Sequence, residues 1–329
     1  MISIPHLGRS RRFPDSCEWE WRYQSRETSI SVNIEAIPPD KEWKTAPEPT
    51  KGIIESVQSS PPEQRRFDVS FLDELNAEYE DRPLVPNPPS YLPGDRHKSA
   101  IGRITNNHLD IGLQHKTVPG IGCSEGYVVW YLGNDMGCDA YGVDLDRRAS
   151  WAEYSGPNVH FTMANMAEVN PYRERMFDRV VSYAVWEHIQ HPYTMLRETY
   201  RVMKPGALAS ITANLFMGPK ASHRYRDIFF PWPHLLFSDE VVRDWDVMHG
   251  REPKGLSWVN RLSWAQYQSY FDEIGFVTKK VNFKKTPIDE EFYKRFENML
   301  GRYPRRDLQR DFFTVILEKP DSPENTDQV

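Results

Sequence analysis

Residues 116–146 constrain the fold of this chain more than any other stretch. They begin with a short apolar run, pass through three glycines, continue as an apolar and aromatic run, and end in a second apolar run with an acidic tip. The glycines are Gly120, Gly122 and Gly126, and the acidic tip is Asp144. Glycines allow a strand to turn sharply into a helix, whose first N–H groups are unpaired. Because an acidic residue about 20 positions after such glycines suits a ribose diol, this βαβ unit is predicted to bind a nucleoside.

The glycine spacing restricts which nucleoside is expected. A dinucleotide site favours G-x-G-x-x-G, whereas this chain has G-x-G-x-x-x-G with Glu125 inside the turn. A carboxylate there would repel a pyrophosphate but not a cationic sulfonium. The stretch resembles motif I and the acidic second-strand tip of the class I S-adenosylmethionine (SAM)-dependent methyltransferases. That family usually has an acidic residue just before its first glycine, where this chain has Pro119 and Gly120.

A second block, residues 177–206, resembles the same family. It has a buried β-branched strand, then Glu187 and His188 as the "EH" element, then a helix from Pro192 that ends in a Lys-Pro-Gly stop. The resemblance covers about residues 116–215. It implies an α/β fold, namely a seven-stranded, mostly parallel Rossmann-like sheet with helices on both faces. An earlier LDIG sequence at 109–112 also looks like motif I, but no G-x-G follows it, so residues 120–126 are predicted to be the loop.

The resemblance implies SAM as the cofactor. The third strand ends before Asn165, where the family usually has an Asp that accepts from the adenine amino group, and an Asn carbonyl can also accept. Met166 is expected to pack on the adenine. The residues expected to contact the cofactor are Gly120, Gly122, Cys123, Gly126, Asp144, Leu145, Asn165, Met166 and Tyr183.

Element patterns outside these blocks complete the predicted order. Strands are predicted at 30–37, 116–118, 140–143, 159–163, 179–183, 208–215, 276–283 and 312–317, and the last lies antiparallel at the edge in this family. Helices are predicted at 68–80, 127–132, 147–154, from 192, at 239–248, at 262–274 and at 289–300.

The predicted organisation has three parts. These are a proline-rich arm (1–100), a methyltransferase domain (101–320) with a lid insertion at about 216–260, and a disordered acidic tail (321–329). The arm either packs across the domain or serves as a lid or dimerisation arm. The segment 216–237 is too long for a plain connection. It either covers the ligand crevice or packs as aromatic core.

The amino-acid composition restricts the kinds of partner that this protein is expected to bind. There are 41 basic and 47 acidic residues, a net charge of −6, which argues against a general nucleic-acid binder. The cysteines Cys17, Cys123 and Cys138 have no paired spacing, so neither a disulfide framework nor a zinc site is indicated. No signal peptide and no membrane span are expected. We expect a cytoplasmic protein. Its acceptor is expected to be a small molecule, such as a sugar or a secondary metabolite. The protein could also form a homo-oligomer.

A hydroxyl acceptor needs a base within about 3 Å. The catalytic candidates are His188, His223 and His234, with His191 and Asp227 as further candidates near the crevice. His188 ranks first because it directly follows the fourth strand. We find no clean Asp/Asn/His ligand triad, so no metal is expected. The predicted function is methyl transfer from SAM to a hydroxyl of a small or sugar-containing metabolite.

Two other classes stay open. A methyltransferase-like protein that binds SAM or a partner without catalysis is one of them. A nicotinamide-dependent oxidoreductase is the other, and the extra residue in the glycine loop and Glu125 count against it.

Overall fold

A seven-stranded sheet organises the molecule. The computed structural model describes residues 67–90 and 92–321, so the predicted strand at 30–37 lies outside the described residues. The strand order is β3-β2-β1-β4-β5-β7-β6. Strand β7 is antiparallel to its neighbours, as predicted, but the prediction that it lies at the edge is wrong, because it pairs with β5 on one side and with β6 on the other. The strands are β1 (Thr117–Ile121), β2 (Asp139–Asp144), β3 (Val159–Met163), β4 (Phe177–Tyr183), β5 (Met203–Asn214), β6 (Val277–Lys285) and β7 (Arg310–Glu318). This confirms the predicted fold class.

The order of the strands reverses at β1. The chain adds β2 and β3 on one side of this strand and then continues with β4 on the other side. Strand β1 pairs in parallel with β2 on one side and with β4 on the other, where Gly120 lies opposite Val181. In open α/β sheets a ligand crevice forms at such a switch point, outside the carboxyl ends of the strands. Gly120 therefore belongs to β1 and not to the loop, which begins at Gly122.

Helices cover the sheet and extend it. They are α1 (Val69–Glu78), α2 (Pro93–Ile111), α3 (Tyr127–Asn134), α4 (Pro192–Val202), α5 (Pro233–Leu236), α6 (Asp239–Met248), α7 (Trp264–Ile274), α8 (Glu290–Arg295), α9 (Glu297–Leu300) and α10 (Arg305–Leu308). Helix α1 is capped by Asp68, whose carboxylate accepts from the Phe71 N–H (2.9 Å), and α7 ends at Gly275, which has φ = 95°.

One helix prediction is wrong, and a second is confirmed with a break at Phe296. The region 147–154 forms only a 3₁₀ turn, Ala149–Ala152, because Ser150 and Trp151 donate to the carbonyl oxygens of Glu125 and Ser124 in the glycine loop. The predicted helix at 289–300 is divided into α8 and α9.

Helix α2 was not predicted. It has Pro93 in its first turn and ends at Gly112 with φ = 63°, and it buries Ala100, Ile104 and Ile111 on one side. The LDIG sequence therefore forms its last turn, and the glycine turn after β1, at residues 122–126, is the loop. The helix also spans residue 100, where the sequence predicted a domain boundary.

A hydrophobic cluster away from the central sheet joins α1 to the segment 216–260. Leu72 and Leu75 of α1 are fully buried there, together with Trp232, Trp245 and Phe292. Most of the predicted lid therefore packs as core, and the part that reaches the crevice lies near His223.

Candidate active site

The glycine loop takes a conformation that side chains oppose. Gly122 and Gly126 have φ values of 67° and 90°. A Cβ on Gly126 would lie 2.7 Å from the Phe161 ring, and one on Gly122 would overlap Val185. The N–H groups of Gly122 and Cys123 donate to the Val143 carbonyl (2.9 and 3.1 Å). The loop is thereby held against the end of β2.

Asp144 ends β2 beside this loop. One carboxylate oxygen accepts from the Ser124 N–H (2.7 Å) and the other from the Asp146 N–H (3.4 Å). A carboxylate offers about four acceptor positions. These two bonds therefore orient Asp144 and leave acceptor capacity for a diol.

The three residues that are expected to lie beside adenine differ in how far their side chains are exposed to solvent. Asn165 is fixed by a bond from the Ala167 N–H to its side-chain oxygen (3.1 Å). Leu145 is 65% exposed, whereas Met166 is only 2% exposed and packs in the core beneath β1 and β2. Contacts of Asn165, Leu145 and Met166 with adenine stay predictions.

Helix α2 covers Tyr183 at the end of β4. Asn107 donates to the Tyr183 hydroxyl, and the Arg103 guanidinium lies 5.2 Å from the ring centroid. Burial raises the pKa of the Tyr183 hydroxyl above its usual range. Asn107 and Arg103 are site residues that the sequence analysis missed. The proline start and glycine end of α2 would have revealed the helix that carries them.

One cavity of about 1710 Å³ joins these groups. Nearly all of the predicted cofactor residues line it: Gly120, Gly122, Cys123, Asp144, Leu145, Asn165, Met166 and Tyr183. Gly126 lies behind it, against Phe161. The cavity continues to His188 and His223, so the structure brings two of the three catalytic candidates to the same wall.

His188 and His223 form a pair of perpendicular rings. Their centroids are 4.9 Å apart. His188 lies in the 3₁₀ turn Trp186–His188 after β4, and its Nδ1 is 3.0 Å from the Trp258 carbonyl oxygen. His223 has a left-handed backbone (φ = 56°), and burial, with a smaller effect of His188, lowers the pKa of His223 to about 4.

Glu187 adds a buried carboxylate to this pair. Its side chain is 1% exposed, and burial raises its pKa to about 7. The N–H groups of Glu187 and Asn214 oppose that shift, yet no described residue makes a well-formed hydrogen bond to either carboxylate oxygen. One carboxylate oxygen and one nitrogen of each histidine lie within 4.8 Å of one another. The sequence placed Glu187 beside His188 but did not reveal its burial.

The remaining candidates lie apart from this cluster. His234 is in α5, where its Nε2 is 2.6 Å from the Phe216 carbonyl oxygen, burial lowers its pKa to about 4, and it does not line the cavity. Asp227 pairs with Arg224 (3.3 Å). His191 is exposed and lines the cavity.

These residues fit the nucleoside part of SAM. The loop has no room for side chains at Gly122, and Asp144 offers acceptors at the tip of β2. At the family's acidic position, however, Pro119 and Gly120 provide no carboxylate.

The chain is similar to known methyltransferases. Residues 120–211 match a family described as a methyltransferase domain. Two curated relatives, each described as an uncharacterized methyltransferase, come from Mycobacteroides abscessus (26% identity over 150 residues, 44% of this chain) and Mycolicibacterium gilvum (25% over 162 residues, 46% of this chain). The matches span only 55% and 60% of those relatives' lengths.

Solved structures of similar fold include two SAM-dependent methyltransferases. The one from Archaeoglobus fulgidus has 14% identity and a TM-score of 0.44, with 68% of this chain and 94% of that chain covered. The one from Mesorhizobium loti has 16% identity and a TM-score of 0.43, with 63% and 92% covered.

Residues 120–211 match a family described as a methyltransferase domain and lie within a Rossmann-like sheet of the predicted kind. The resemblance found in the sequence is thereby confirmed, and SAM is the cofactor of this domain. Within the described parts of the chain, every helix is too short or too polar to serve as a membrane span.

Proposed function

We propose that this protein transfers the methyl group of SAM to a hydroxyl of a small molecule, with sugar-containing metabolites among the candidates. The observation that carries the proposal is the single cavity with two different ends. One end has the glycine loop and Asp144, and the other has His188 and His223.

The nucleoside end positions the methyl donor. SAM supplies a methyl carbon already activated by its sulfonium, so the protein chiefly aligns donor and acceptor. Such alignment alone lowers a barrier by several kcal/mol. Asp144 would hold the ribose, while the N–H groups that tie the loop to Val143 keep the loop in place.

The histidine end provides the base. A carbonyl oxygen only accepts, so the contact with Trp258 places the hydrogen of neutral His188 on Nδ1 and leaves a lone pair on Nε2. Nε2 can therefore take the hydroxyl proton while the acceptor oxygen bonds to the methyl carbon and the bond from that carbon to the sulfonium sulfur breaks, which leaves S-adenosylhomocysteine. His223, which packs edge to face against His188, restricts the movement of that ring.

Polar side chains in the same cavity suit a hydroxyl-rich acceptor. Gln190, Asn282 and Thr314 line it and carry amide and hydroxyl groups that can both donate and accept. The net charge of −6 also favours a small acceptor over a nucleic acid.

Two measurements test the proposal. Calorimetry should show SAM binding in the micromolar to low-millimolar range, and radiolabelled SAM should methylate members of a panel of hydroxylated metabolites. His188→Ala should lower kcat by about 10²- to 10⁴-fold with little change in SAM affinity, as expected on removing a general base. His160→Ala serves as the control, since His160 is exposed and pairs with Asp139 outside the cavity.

Different failures would point to different functions. No SAM binding in that range would refute the proposal outright. SAM binding without transfer to any acceptor in the panel or in a cell extract would favour a non-catalytic protein. NADH binding in its place would favour an oxidoreductase.

A further inference from the structure

Three side chains at the acceptor end of the cavity form a ligand set of two imidazoles and one carboxylate. They are Glu187, His188 and His223, and their candidate ligand atoms lie within 4.8 Å of one another. We propose that these three residues bind a divalent transition-metal ion.

Glu187 is buried without the well-formed hydrogen bonds that a buried carboxylate normally has, although the N–H groups of Glu187 and Asn214 lie near it. Its side chain is 1% exposed, and neither oxygen accepts a well-formed hydrogen bond from the described residues. Burying such a group without a partner is costly, and a cation is one way to compensate it. His223 shows the same feature, because its Nε2 is buried and has no hydrogen-bond partner among the described residues.

His188 is oriented as metal-binding histidines usually are. Such a ligand commonly donates its second ring N–H to a carbonyl or a carboxylate, which fixes the ring. His188 Nδ1 makes this contact with the Trp258 carbonyl (3.0 Å) and leaves Nε2 free to ligate.

The backbone around these ligands is also fixed. The N–H of Asn260 donates to the Glu187 carbonyl (2.8 Å), and its side-chain amide donates to the Trp186 carbonyl (2.6 Å). The loop that contains Trp258 and Asn260 therefore supports both Glu187 and His188.

The donor set indicates the kind of metal. Imidazole and carboxylate together suit Zn²⁺, Fe²⁺, Co²⁺ or Ni²⁺, whereas Mg²⁺ and Ca²⁺ prefer oxygen ligands alone. With bonds of about 2.0–2.2 Å, ligand atoms around one ion lie about 3–3.5 Å apart. Atoms that are now within 4.8 Å need to close by only about 1.5 Å, which small side-chain rotations provide.

Three protein ligands leave at least one coordination position open. Because His188 and His223 line the cavity, that position is available to an acceptor hydroxyl. The ion would lower the pKa of that hydroxyl, whose proton would pass to solvent. The oxygen would then bond to the methyl carbon as the carbon–sulfur bond of SAM breaks and S-adenosylhomocysteine leaves. This inference refines acceptor activation in the proposed function, and in the metal-bound protein His188 is a ligand and not the base.

Metal binding can be measured without SAM or an acceptor. Co²⁺ and Zn²⁺ are titrated into the full chain after chelator treatment and dialysis, with calorimetry and the visible absorption of bound Co²⁺ as readouts. One ion per chain is expected. Glu187→Gln and His223→Ala should each weaken binding by more than about tenfold, since even changes in outer-shell partners reach that size. His160→Ala, which removes an exposed histidine outside the cavity, should bind normally.

Two results would overturn the metal site. One is the absence of saturable binding at millimolar Co²⁺ and Zn²⁺ by a protein whose thermal unfolding shows that it is folded. The other is binding that Glu187→Gln and His223→Ala leave unchanged, which would locate the ion elsewhere. Methyl transfer that persists in excess chelator would remove the metal from the reaction but leave the proposed function intact.

Discussion

Asp144 is the residue on which nucleoside binding should depend most. Its two carboxylate oxygens already accept from the Ser124 and Asp146 N–H groups at 2.7 and 3.4 Å. Of about four acceptor positions, about two remain for the ribose hydroxyls. A hydrogen bond to a charged group contributes about 1.5–3 kcal/mol. Asp144→Ala should therefore raise the Kd for S-adenosylhomocysteine by about 10- to 150-fold, since 1.4 kcal/mol corresponds to a factor of ten.

Calorimetry with S-adenosylhomocysteine measures this effect without requiring a known acceptor. Asp146→Ala is the matched control, because Asp146 is a carboxylate two residues away that does not line the cavity. The Kd of the Asp146→Ala variant for S-adenosylhomocysteine should stay within about twofold of the Kd of the parent chain, which is a change of about 0.4 kcal/mol. If Asp144→Ala binds as tightly as Asp146→Ala, Asp144 does not hold the ribose and the assigned nucleoside end of the cavity is wrong.

Three further substitutions test the packing by urea unfolding. Gly126→Ala should destabilise the fold by about 2–4 kcal/mol, because φ is 90° and the new Cβ would lie 2.7 Å from the Phe161 ring. Leu75→Ala, at a fully buried position of α1, should cost about 2–5 kcal/mol. Asp246→Asn should cost about 3–5 kcal/mol, because both Asp246 oxygens accept from the buried Arg224 guanidinium (2.9 and 2.6 Å). Burial by itself would raise the pKa of Asp246, but the bonds and charge of Arg224, together with the Gly255 N–H and Arg251, outweigh burial and keep that pKa below its usual value. The stabilisation is therefore complete above the unfolded-state pKa of about 3.9 and is lost as the pH falls through the lower folded-state pKa, so the parent chain should lose more stability in acid than the variant.

Each of these substitutions has a control nearby. Gly102→Ala lies in the interior of α2, where a Cβ meets no atom within 4 Å, and should stabilise by about 0.5–1 kcal/mol. Glu74→Ala and Asp244→Asn change exposed positions and should stay within about 0.5 kcal/mol of the parent chain. A Leu75→Ala variant as stable as Glu74→Ala would mean that α1 is not part of the core. Equal acid sensitivity of Asp246→Asn and the parent chain would contradict the assigned pKa direction.

The sheet could be predicted because its signals are local. Strand β3 was predicted at the residues it occupies, since a β-branched and aromatic run ends in clear turn residues. Helix α2 was missed because most of its surface is polar and only one narrow side is buried. Pro93 and Gly112 mark the start and the end of this helix, but a search for apolar periodicity alone does not use such boundary residues.

The path of the backbone decides whether His223 or His234 reaches the cavity. The chain bends through left-handed residues at His223 (φ = 56°) and Trp232 (φ = 57°). Side-chain-bearing residues rarely adopt this conformation unless surrounding contacts impose it. Sequence patterns predict an aromatic segment here, but only those contacts decide which histidine reaches the cavity.

The burial of Glu187 depends on residues far away in the chain. A carboxylate in a short turn after a strand is ordinarily exposed, whereas this one lies near Asn214 and His223, and its backbone carbonyl accepts from the Asn260 N–H. The two accounts of acceptor activation differ at this residue. A base at His188 Nε2 needs no charge on Glu187, whereas a metal ion held by the cluster does. Glu187→Gln keeps the shape of the side chain and removes its charge, so methyl transfer that survives this change favours the histidine base, and transfer lost together with Co²⁺ binding favours the metal.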